Sequence, residues 1–172
     1  MGIGARSMAF RTLTSLFLSL GLRNNMYNAN TKDRKSTDYI AIHCSATSEK
    51  LDIGAKEIDK WHRGKGWACI GYHYVIRRDG TLEEGRSESQ IGAHVQGFNE
   101  NSLGICMVGG VDANDVTKAV NNFTPEQFET LKDLLTVLKL KYPKAKVQGH
   151  RDFPNVKKAC PCFDVATWLK SF

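Results

Sequence analysis

The clearest strand in this sequence is Asp38-Tyr39-Ile40-Ala41-Ile42-His43, followed directly by Cys44-Ser45. Apolar residues dominate it, and their spacing is typical of a strand buried in a sheet. The 35 residues before Ser36 differ in composition, so we place the start of the globular domain at residue 36. Because the strand ends at a histidine, its carboxyl end is a candidate functional position.

The rest of the chain interleaves strands with helices. Further strands are predicted at residues 72–77, 82–84, 103–108 and 146–149, with 103–108 central. Helices are predicted at residues 53–63, from Thr124 to a point before Pro143, and from about Asp164. In the second helix Thr124 is the N-cap, Pro125 the first helical residue and Gln127 the third. This order predicts one α/β domain, a central mixed β-sheet flanked by helices.

Composition limits the classes of function. With 172 residues, 41% of them hydrophobic, the chain can bury one good core but not two ordinary domains. The net charge of +6 favours an anionic partner, such as nucleic acid, an acidic glycan or a membrane surface. It equally suits a soluble protein kept apart from its neighbours by charge. Because the positive charges are scattered, we expect no direct nucleic-acid binding.

Five cysteines cannot all pair within one chain. Cys44 and Cys106 lie in apolar, strand-like runs, where a free thiol behaves as a small buried hydrophobe. We therefore expect synthesis in a reducing compartment, with the cysteines used for packing and for metal binding.

Residues 1–35 are predicted to be an N-terminal extension of the domain at residues 36–172. Five apolar residues recur in it at helical spacing: Phe10, Leu13, Leu16, Phe17 and Leu20. The apolar run is too short for a transmembrane helix, which needs about 20 residues. No clear cleavage site follows its charged start. We expect a disordered or loosely helical extension, or else an export segment or an amphipathic segment that binds an anionic membrane surface.

His43, His150 and Cys160 form a candidate metal site. A catalytic zinc ion takes three protein ligands and keeps a fourth position for water. His150 follows the strand at residues 146–149, and Cys160 lies ten residues later, on a loop that can return to the same edge. No HExxH helix or paired CxxC motif supports this site. From spacing alone, a hydrogen-bonded core histidine remains the alternative interpretation of His43.

Several motifs carry a resemblance to a known family. They are Ser36-Thr37-Asp38, Ile42-His43-Cys44-Ser45-Ala46-Thr47, Gly71-Tyr72-His73-Tyr74, Arg78-Asp79-Gly80-Thr81 and Asn101-Ser102-Leu103-Gly104-Ile105-Cys106. In this order they resemble the superfamily of type 2 amidases and peptidoglycan-recognition proteins, and within it the small amidase lysozymes of T-odd podophages. The resemblance runs from about Ser36 to Trp168 and leaves the N-terminal extension outside.

The resemblance implies a zinc-dependent N-acetylmuramoyl-L-alanine amidase. Such an enzyme cleaves the amide between the lactyl group of muramic acid and the L-alanine of the peptide stem. The matching positions assign His43, His150 and Cys160 as zinc ligands and Tyr72 and Lys158 as catalytic side chains. The Lys158 ammonium and the Tyr72 hydroxyl can donate hydrogen bonds to the oxyanion of the tetrahedral intermediate. Either group can also take part in proton delivery to the departing amine.

Peptidoglycan is the partner that this resemblance implies. The protein is expected to be made in the bacterial cytoplasm and to act on the cell wall, in the periplasm, by an export route that the sequence leaves open. A phage or prophage endolysin and a bacterial wall-remodelling hydrolase both fit. The resembled phage amidases also regulate RNA polymerase. The amidase motifs do not encode that contact, so RNA polymerase is an additional partner that the resemblance alone suggests.

Four further residues have less definite roles. His94 matches a histidine of the family's substrate groove, and Asn99 and Asn101 are predicted either as groove contacts or as turn formers. Cys162 competes with Cys160 as a ligand and stands where the resembled phage enzymes have serine. We favour Cys160, because the ligand of the family motif precedes the proline.

The sequence allows two other functions. A peptidoglycan-binding protein without hydrolytic activity is disfavoured by Cys160, since superfamily members of that kind have lost the cysteine ligand. A cell-wall cysteine peptidase would use Cys160 or Cys162 with His150, but no residue is an obvious third member that orients the histidine.

Overall fold

The computed structural model describes Tyr27 and residues 32–171. The predicted amphipathic or export segment lies outside the described residues, and the domain boundary after residue 35 stays a prediction. Asp33 forms an isolated β-bridge with Gln90, and the Arg34 side chain donates a hydrogen bond to the Glu88 carbonyl oxygen at 3.1 Å. Residues just before Ser36 are therefore attached to the domain. None of the helices among the described residues has the length and apolar character needed to cross a bilayer.

The described residues form a sheet flanked by helices. The strands are β1 (Tyr39–Cys44), β2 (Tyr74–Ile76), β3 (Leu82–Glu84), β4 (Ser102–Met107) and β5 (Lys146–Gly149). The helices are α1 (Ala55–Gly64), α2 (Pro125–Lys141) and α3 (Val165–Leu169), with short 3₁₀ turns at Asn99–Asn101 and His150–Asp152. Each of these strands and helices was expected from the sequence, with end points that differ by one or two residues at several positions.

The sheet has the strand order β3-β2-β4-β1-β5. Strand β1 pairs in parallel with β4 and β5, β2 pairs in parallel with β4, and only the β2–β3 pair of this sheet is antiparallel. This mixed sheet confirms the predicted fold class. Since β1 and β5 are parallel neighbours, their carboxyl ends lie side by side.

Helix α2 covers one face of the sheet. Its start follows the predicted capping box: the Thr124 hydroxyl accepts the Gln127 amide at 3.2 Å, and the Gln127 side chain accepts the Thr124 amide at 3.1 Å. Apolar residues from β1, β4 and α2 that are at most 1% exposed make the main core: Ile40, Ile42, Leu103, Ile105, Met107, Leu131, Leu134 and Leu138. This face contains the predicted apolar stripe of α2.

The opposite face of the same strands carries different residues. Because side chains alternate along a strand, Ala41 and His43 of β1 and Gly104 and Cys106 of β4 point away from α2. Smaller apolar clusters cover parts of this face, one of them including Ile58 of helix α1. The histidine of β1 thus lies on the less apolar face, at the carboxyl end of its strand.

Candidate metal centre

The pairing of β1 with β5 brings two histidines together. Ile42 lies opposite Gly149, so the next residues, His43 and His150, are neighbours at the carboxyl edge of the sheet. Their ring centroids are 4.5 Å apart. His43 is 1% exposed, and His150 is partly buried at the start of the 3₁₀ turn.

Cys160 is held beside this pair by backbone hydrogen bonds. The Arg151 amide donates to the Cys160 carbonyl oxygen at 2.8 Å, so the loop returns to its own starting point. The Cys44 amide donates to the Cys160 Sγ at 3.2 Å. That sulfur lies 3.9 Å from the His43 Nδ1. The sheet edge therefore places a thiol next to the two imidazoles, as the sequence predicted.

The three side chains fit a metal ion. One ligand atom from each of His43, His150 and Cys160 lies within 4.8 Å of the others. Burial, followed by the charge of neighbouring groups including Lys158, lowers the pKa of His43 well below its ordinary value, and the same two causes lower that of His150. Both imidazoles are therefore neutral at pH 7, with a lone pair free for a metal. Two nitrogens and one sulfur are a donor set that suits zinc.

Cys162 does not lie with this group. Its thiol donates a hydrogen bond to the Gly110 carbonyl oxygen at 3.1 Å, and its Sγ is 3.7 Å from the Cys44 Sγ. A hydrogen bond with Cys44, together with burial, raises the pKa of Cys162, and hydrogen bonding with Cys160 and burial raise the pKa of Cys44 to about 12. Among the described residues, the group of candidate ligand atoms within 4.8 Å of one another includes Cys160 and neither of these two thiols.

His94 contacts the metal centre through His43. The His94 Nδ1 lies 3.0 Å from the His43 Nε2, and the His94 Nε2 lies 3.4 Å from the Ser102 hydroxyl oxygen. That hydroxyl donates to the Phe98 carbonyl oxygen at 2.6 Å. Since the His43 Nδ1 faces Cys160, one assignment of protons satisfies the whole chain: His43 Nε2–H donates to His94, and His94 Nε2–H donates to Ser102.

Two glycines make room for His94. A β-carbon on Gly104 would lie 2.6 Å from the His94 ring, and one on Gly92 would lie 2.5 Å from it. Any larger residue at either position would push this imidazole away from His43. A glycine inside the apolar strand Leu103-Gly104-Ile105 is the sequence signal for such a close approach, and our sequence interpretation did not use it.

His73 lies next to His94 and hydrogen-bonds to the backbone of β4. The sequence did not predict this structural role. The Gly104 amide donates to the His73 Nδ1 at 2.9 Å, so the Nε2 carries the proton and donates to the Gln90 carbonyl oxygen at 3.0 Å. Burial lowers the pKa of His73 to about 3. Its ring centroid lies 5.5 Å from that of His94. His73 is therefore a neutral, fully hydrogen-bonded core histidine.

Tyr72 and Lys158 flank the metal centre. The Tyr72 ring centroid lies 5.2 Å from that of His43, and burial raises the pKa of its hydroxyl well above the ordinary value. The hydroxyl therefore keeps its proton at neutral pH and can act as a hydrogen-bond donor. Lys158 is exposed. Burial is the main cause of the lowered pKa values of His43 and His150, and the nearby charge of Lys158 is a smaller cause in both.

Asn99 and Asn101 have structural contacts in this fold. The Asn99 side-chain oxygen accepts the amides of His94 and Val95 at 2.8 and 2.9 Å, which fixes the loop that carries His94. The Asn101 side chain donates to Asp38 at 2.9 Å, beside the first residue of β1 and at the opposite end of that strand from His43. Both contacts are of the turn-forming kind, and a role in substrate binding stays a prediction.

Comparison with known proteins gives a consistent result. The sequence model of the Amidase_2 family, N-acetylmuramoyl-L-alanine amidase, matches residues 33–163. The endolysin of Escherichia phage T7 is 47% identical over 137 residues, covering 80% of this chain and 88% of that protein. The endolysin of Enterobacteria phage K11 is 46% identical over 138 residues, covering 80% and 89%.

Solved structures show the same fold. The endolysin amidase LysCS from Clostridium intestinale matches with a TM-score of 0.65 at 27% identity, covering 84% of this chain and 92% of that one. Drosophila PGRP-LB matches with a TM-score of 0.67 at 22% identity, covering 90% and 91%, which supports the fold alone. The matched span contains the metal centre and Tyr72, Lys158 and His94. The chain therefore belongs to the N-acetylmuramoyl-L-alanine amidase family.

Proposed function

We propose that this protein is a zinc-dependent N-acetylmuramoyl-L-alanine amidase that degrades bacterial peptidoglycan as an endolysin. The observation that carries the proposal is the cluster of His43, His150 and Cys160 ligand atoms within 4.8 Å, beside the ring of Tyr72, whose hydroxyl keeps its proton. Membership of the amidase family and the high identity to phage endolysins support the same reaction. The bond to be broken is the amide between the lactyl group of N-acetylmuramic acid and L-alanine.

Zinc is the metal that these residues suit. Neutral imidazoles and a thiolate are its usual ligands, and three protein ligands leave the fourth position for water or substrate. When bound at such a site, zinc polarises a carbonyl oxygen and lowers the pKa of a coordinated water to about 7. The Cys44 amide, which donates to the Cys160 sulfur, stabilises negative charge on that ligand.

Tyr72 and Lys158 are proposed as the catalytic side chains. Negative charge develops on the carbonyl oxygen as the amide is attacked, and preorganised donors that point at this oxygen lower the barrier. A Tyr72 hydroxyl that keeps its proton and a Lys158 ammonium are both donors. The departing L-alanine amine needs a proton, and these are the two nearby groups proposed to take part in its delivery.

His94 is proposed to position His43 as well as to border the substrate groove. A hydrogen bond from a metal-ligating histidine to a partner fixes its ring orientation and its tautomer. The contact of 3.0 Å between the His94 Nδ1 and the His43 Nε2 is of this kind. The predicted contact of His94 with substrate remains part of the proposal, since His94 is only partly buried.

The decisive experiment is digestion of purified peptidoglycan. Amidase activity releases new alanine amino termini without new reducing sugars, whereas reducing ends would identify a glycosidase. Activity should disappear on chelation and return when zinc is added. Activity that survives chelation but is lost on thiol alkylation would favour the cysteine peptidase, and binding without any cleavage would favour a recognition protein.

Variants of the two catalytic side chains separate their roles from metal binding. Tyr72→Phe and Lys158→Met each remove one donor, so we expect a loss of about 100-fold in kcat, with zinc content unchanged. A variant that loses zinc together with activity would show that the side chain supports the metal centre instead.

The setting of the reaction is also part of the proposal. The protein would be made in the cytoplasm and reach the wall in the periplasm by a route still to be identified. Binding of the N-terminal extension to an anionic membrane can be tested by deleting residues 1–26, which leaves the contacts of Tyr27 and Arg34 in place. If the deletion variant lyses intact cells and digests purified wall as well as the full-length protein does, a membrane role is excluded. Regulation of RNA polymerase stays a prediction without support from the site.

A further inference from the structure

Two thiols that take no part in the metal centre face each other next to it. The Cys44 Sγ lies 3.7 Å from the Cys162 Sγ, although the two residues are 118 positions apart in the chain. Gly110 makes space for them, because a β-carbon there would lie 2.8 Å from the Cys44 Sγ and 3.3 Å from the Cys162 Sγ. The two sulfurs therefore share one small site that a side chain at position 110 would fill.

The other cysteines have different surroundings. The Cys69 and Cys106 thiols are fully buried and donate to backbone oxygens, and Cys160 faces the two histidines of the metal centre. Cys162 is only partly buried, whereas Cys44 is 7% exposed. Among the five cysteines, this pair combines a partly buried residue with a second thiol in contact with its sulfur.

We propose that Cys44 and Cys162 form a disulfide bond when the protein meets an oxidising disulfide, and that this bond fastens the end of β1 to the loop that carries Cys160. A disulfide has an S–S distance of about 2.05 Å. The two sulfurs therefore have to approach by less than 2 Å, and rotation of both side chains supplies movement of this size.

The reaction is a thiol–disulfide exchange. The Cys162 sulfur attacks the oxidant disulfide, forms a mixed disulfide and releases one thiol. The Cys44 sulfur then attacks the Cys162 sulfur, forms the new S–S bond and releases the second thiol. The two cysteines lose their protons and are oxidised, and the oxidant disulfide is reduced to two thiols.

The bond would leave the metal ligands free. Cys160 is not consumed, and the Cys44 amide that donates to its sulfur belongs to the backbone. A crosslink between positions 118 apart restricts the unfolded chain strongly, so it stabilises the folded protein. That oxidation happens in the cell rests on the proposed function, since that function moves the protein from a reducing cytoplasm to the oxidising side of the membrane.

The test uses the full-length, zinc-loaded protein and oxidised glutathione as the oxidant. After free thiols are blocked, intact mass should show the loss of two hydrogen atoms, and fragmentation of linked peptides should join Cys44 to Cys162. Zinc content should not change. The melting temperature should rise by roughly 5–10 °C and return to its starting value on reduction.

Variants make the test specific and independent of amidase activity. Cys162→Ser should form no internal disulfide and show no rise in melting temperature, while keeping its zinc. Cys69→Ser is the matched control, since its hydroxyl can replace the thiol hydrogen bonds to backbone oxygens, and it should still form the crosslink. A bond that includes Cys160 with release of zinc, or stable glutathione adducts without an internal bond, would overturn the proposal. The intact mass, the linked peptides and the melting temperature can be measured even if the protein proves to have no amidase activity.

Discussion

The two faces of the central sheet are equally buried but differ in chemistry. On the face covered by α2, Ile42 is fully buried among aliphatic side chains, and on the other face its neighbour His43 is 1% exposed. Buried imidazoles are tolerated because burial keeps them uncharged and because they hydrogen-bond to one another and to backbone groups. The comparison indicates that the apolar face stabilises the fold and that the histidine face holds the candidate metal centre.

The largest effect is expected where the histidine face meets the metal. Cys160→Ser replaces the proposed thiolate ligand, and because metal catalysis contributes several kcal/mol, we expect amidase activity to fall by about a thousandfold or more. Zinc content should fall with it. The matched control is Cys162→Ser, two residues away, which should keep both activity and zinc. The opposite pattern would assign the ligand to Cys162.

On the apolar face, the expected effect is on folding alone. Leu134 is fully buried, so Leu134→Ala should lower the free energy of unfolding by about 2–5 kcal/mol, measured by urea denaturation. The folded fraction should keep its kcat and its affinity for zinc. Leu140→Ala, in the same helix but at a position that is 72% exposed, should change stability little. A large change of kcat in folded Leu134→Ala would break the division between the faces.

A smaller effect is expected for His94. His94→Ala removes the partner of His43, so affinity for zinc should fall by about 10- to 100-fold in competition with a chelator. His94→Asn offers a side-chain oxygen close to the position of the Nδ1 and should restore part of the affinity. Equal affinities in the two variants and the parent protein would limit His94 to the substrate groove.

Counted for one histidine over one pH unit, the smallest effect is the pH dependence of stability that buried histidines cause. Burial lowers the pKa of His73 to about 3 and that of His62 to about 4, against about 6.5 in an unfolded chain. Below pH 6.5 the unfolded chain takes up protons that the folded protein does not. The free energy of unfolding therefore decreases as the pH is lowered. Each group contributes at most about 1.4 kcal/mol per pH unit, down to its folded pKa.

This dependence is measured by urea denaturation at pH 7, 6 and 5, with a chelator present so that release of metal does not contribute. His73→Gln, which does not titrate, should show a shallower decrease. A stability that stays constant from pH 7 to pH 5 would contradict the neutral state of these histidines.

The sequence predicted most of the fold for an identifiable reason. Periodicity and capping residues act locally, and the Thr124-Pro125-Glu126-Gln127 start of α2 appears as expected. The strand at Lys146–Gly149 was predicted with the same bounds. The cluster of metal-site histidines and Cys160 was predicted through the resemblance to the amidase family, and the parallel pairing of β1 with β5 supplies its physical cause.

What the sequence did not reveal depends on contacts across the sheet. The His43–His94 hydrogen bond and the contact between Cys44 and Cys162 join residues 51 and 118 positions apart. No local pattern encodes such pairs, because they depend on the relative positions of strands and loops. Gly104 was the nearest available signal, since a glycine within an apolar strand marks a close approach.

The parallel pairing of Ile42 with Gly149 has a consequence for folding. Strands β1 and β5 come from opposite ends of the domain, so the ligand set is complete only after the first and last strands have joined the sheet. A metal that binds the folded state and not the unfolded chain shifts the equilibrium towards the folded state, by RT ln(1 + [metal]/Kd). Zinc binding would therefore stabilise the pairing of the first strand with the last. Its uptake would report that β5 has joined the sheet.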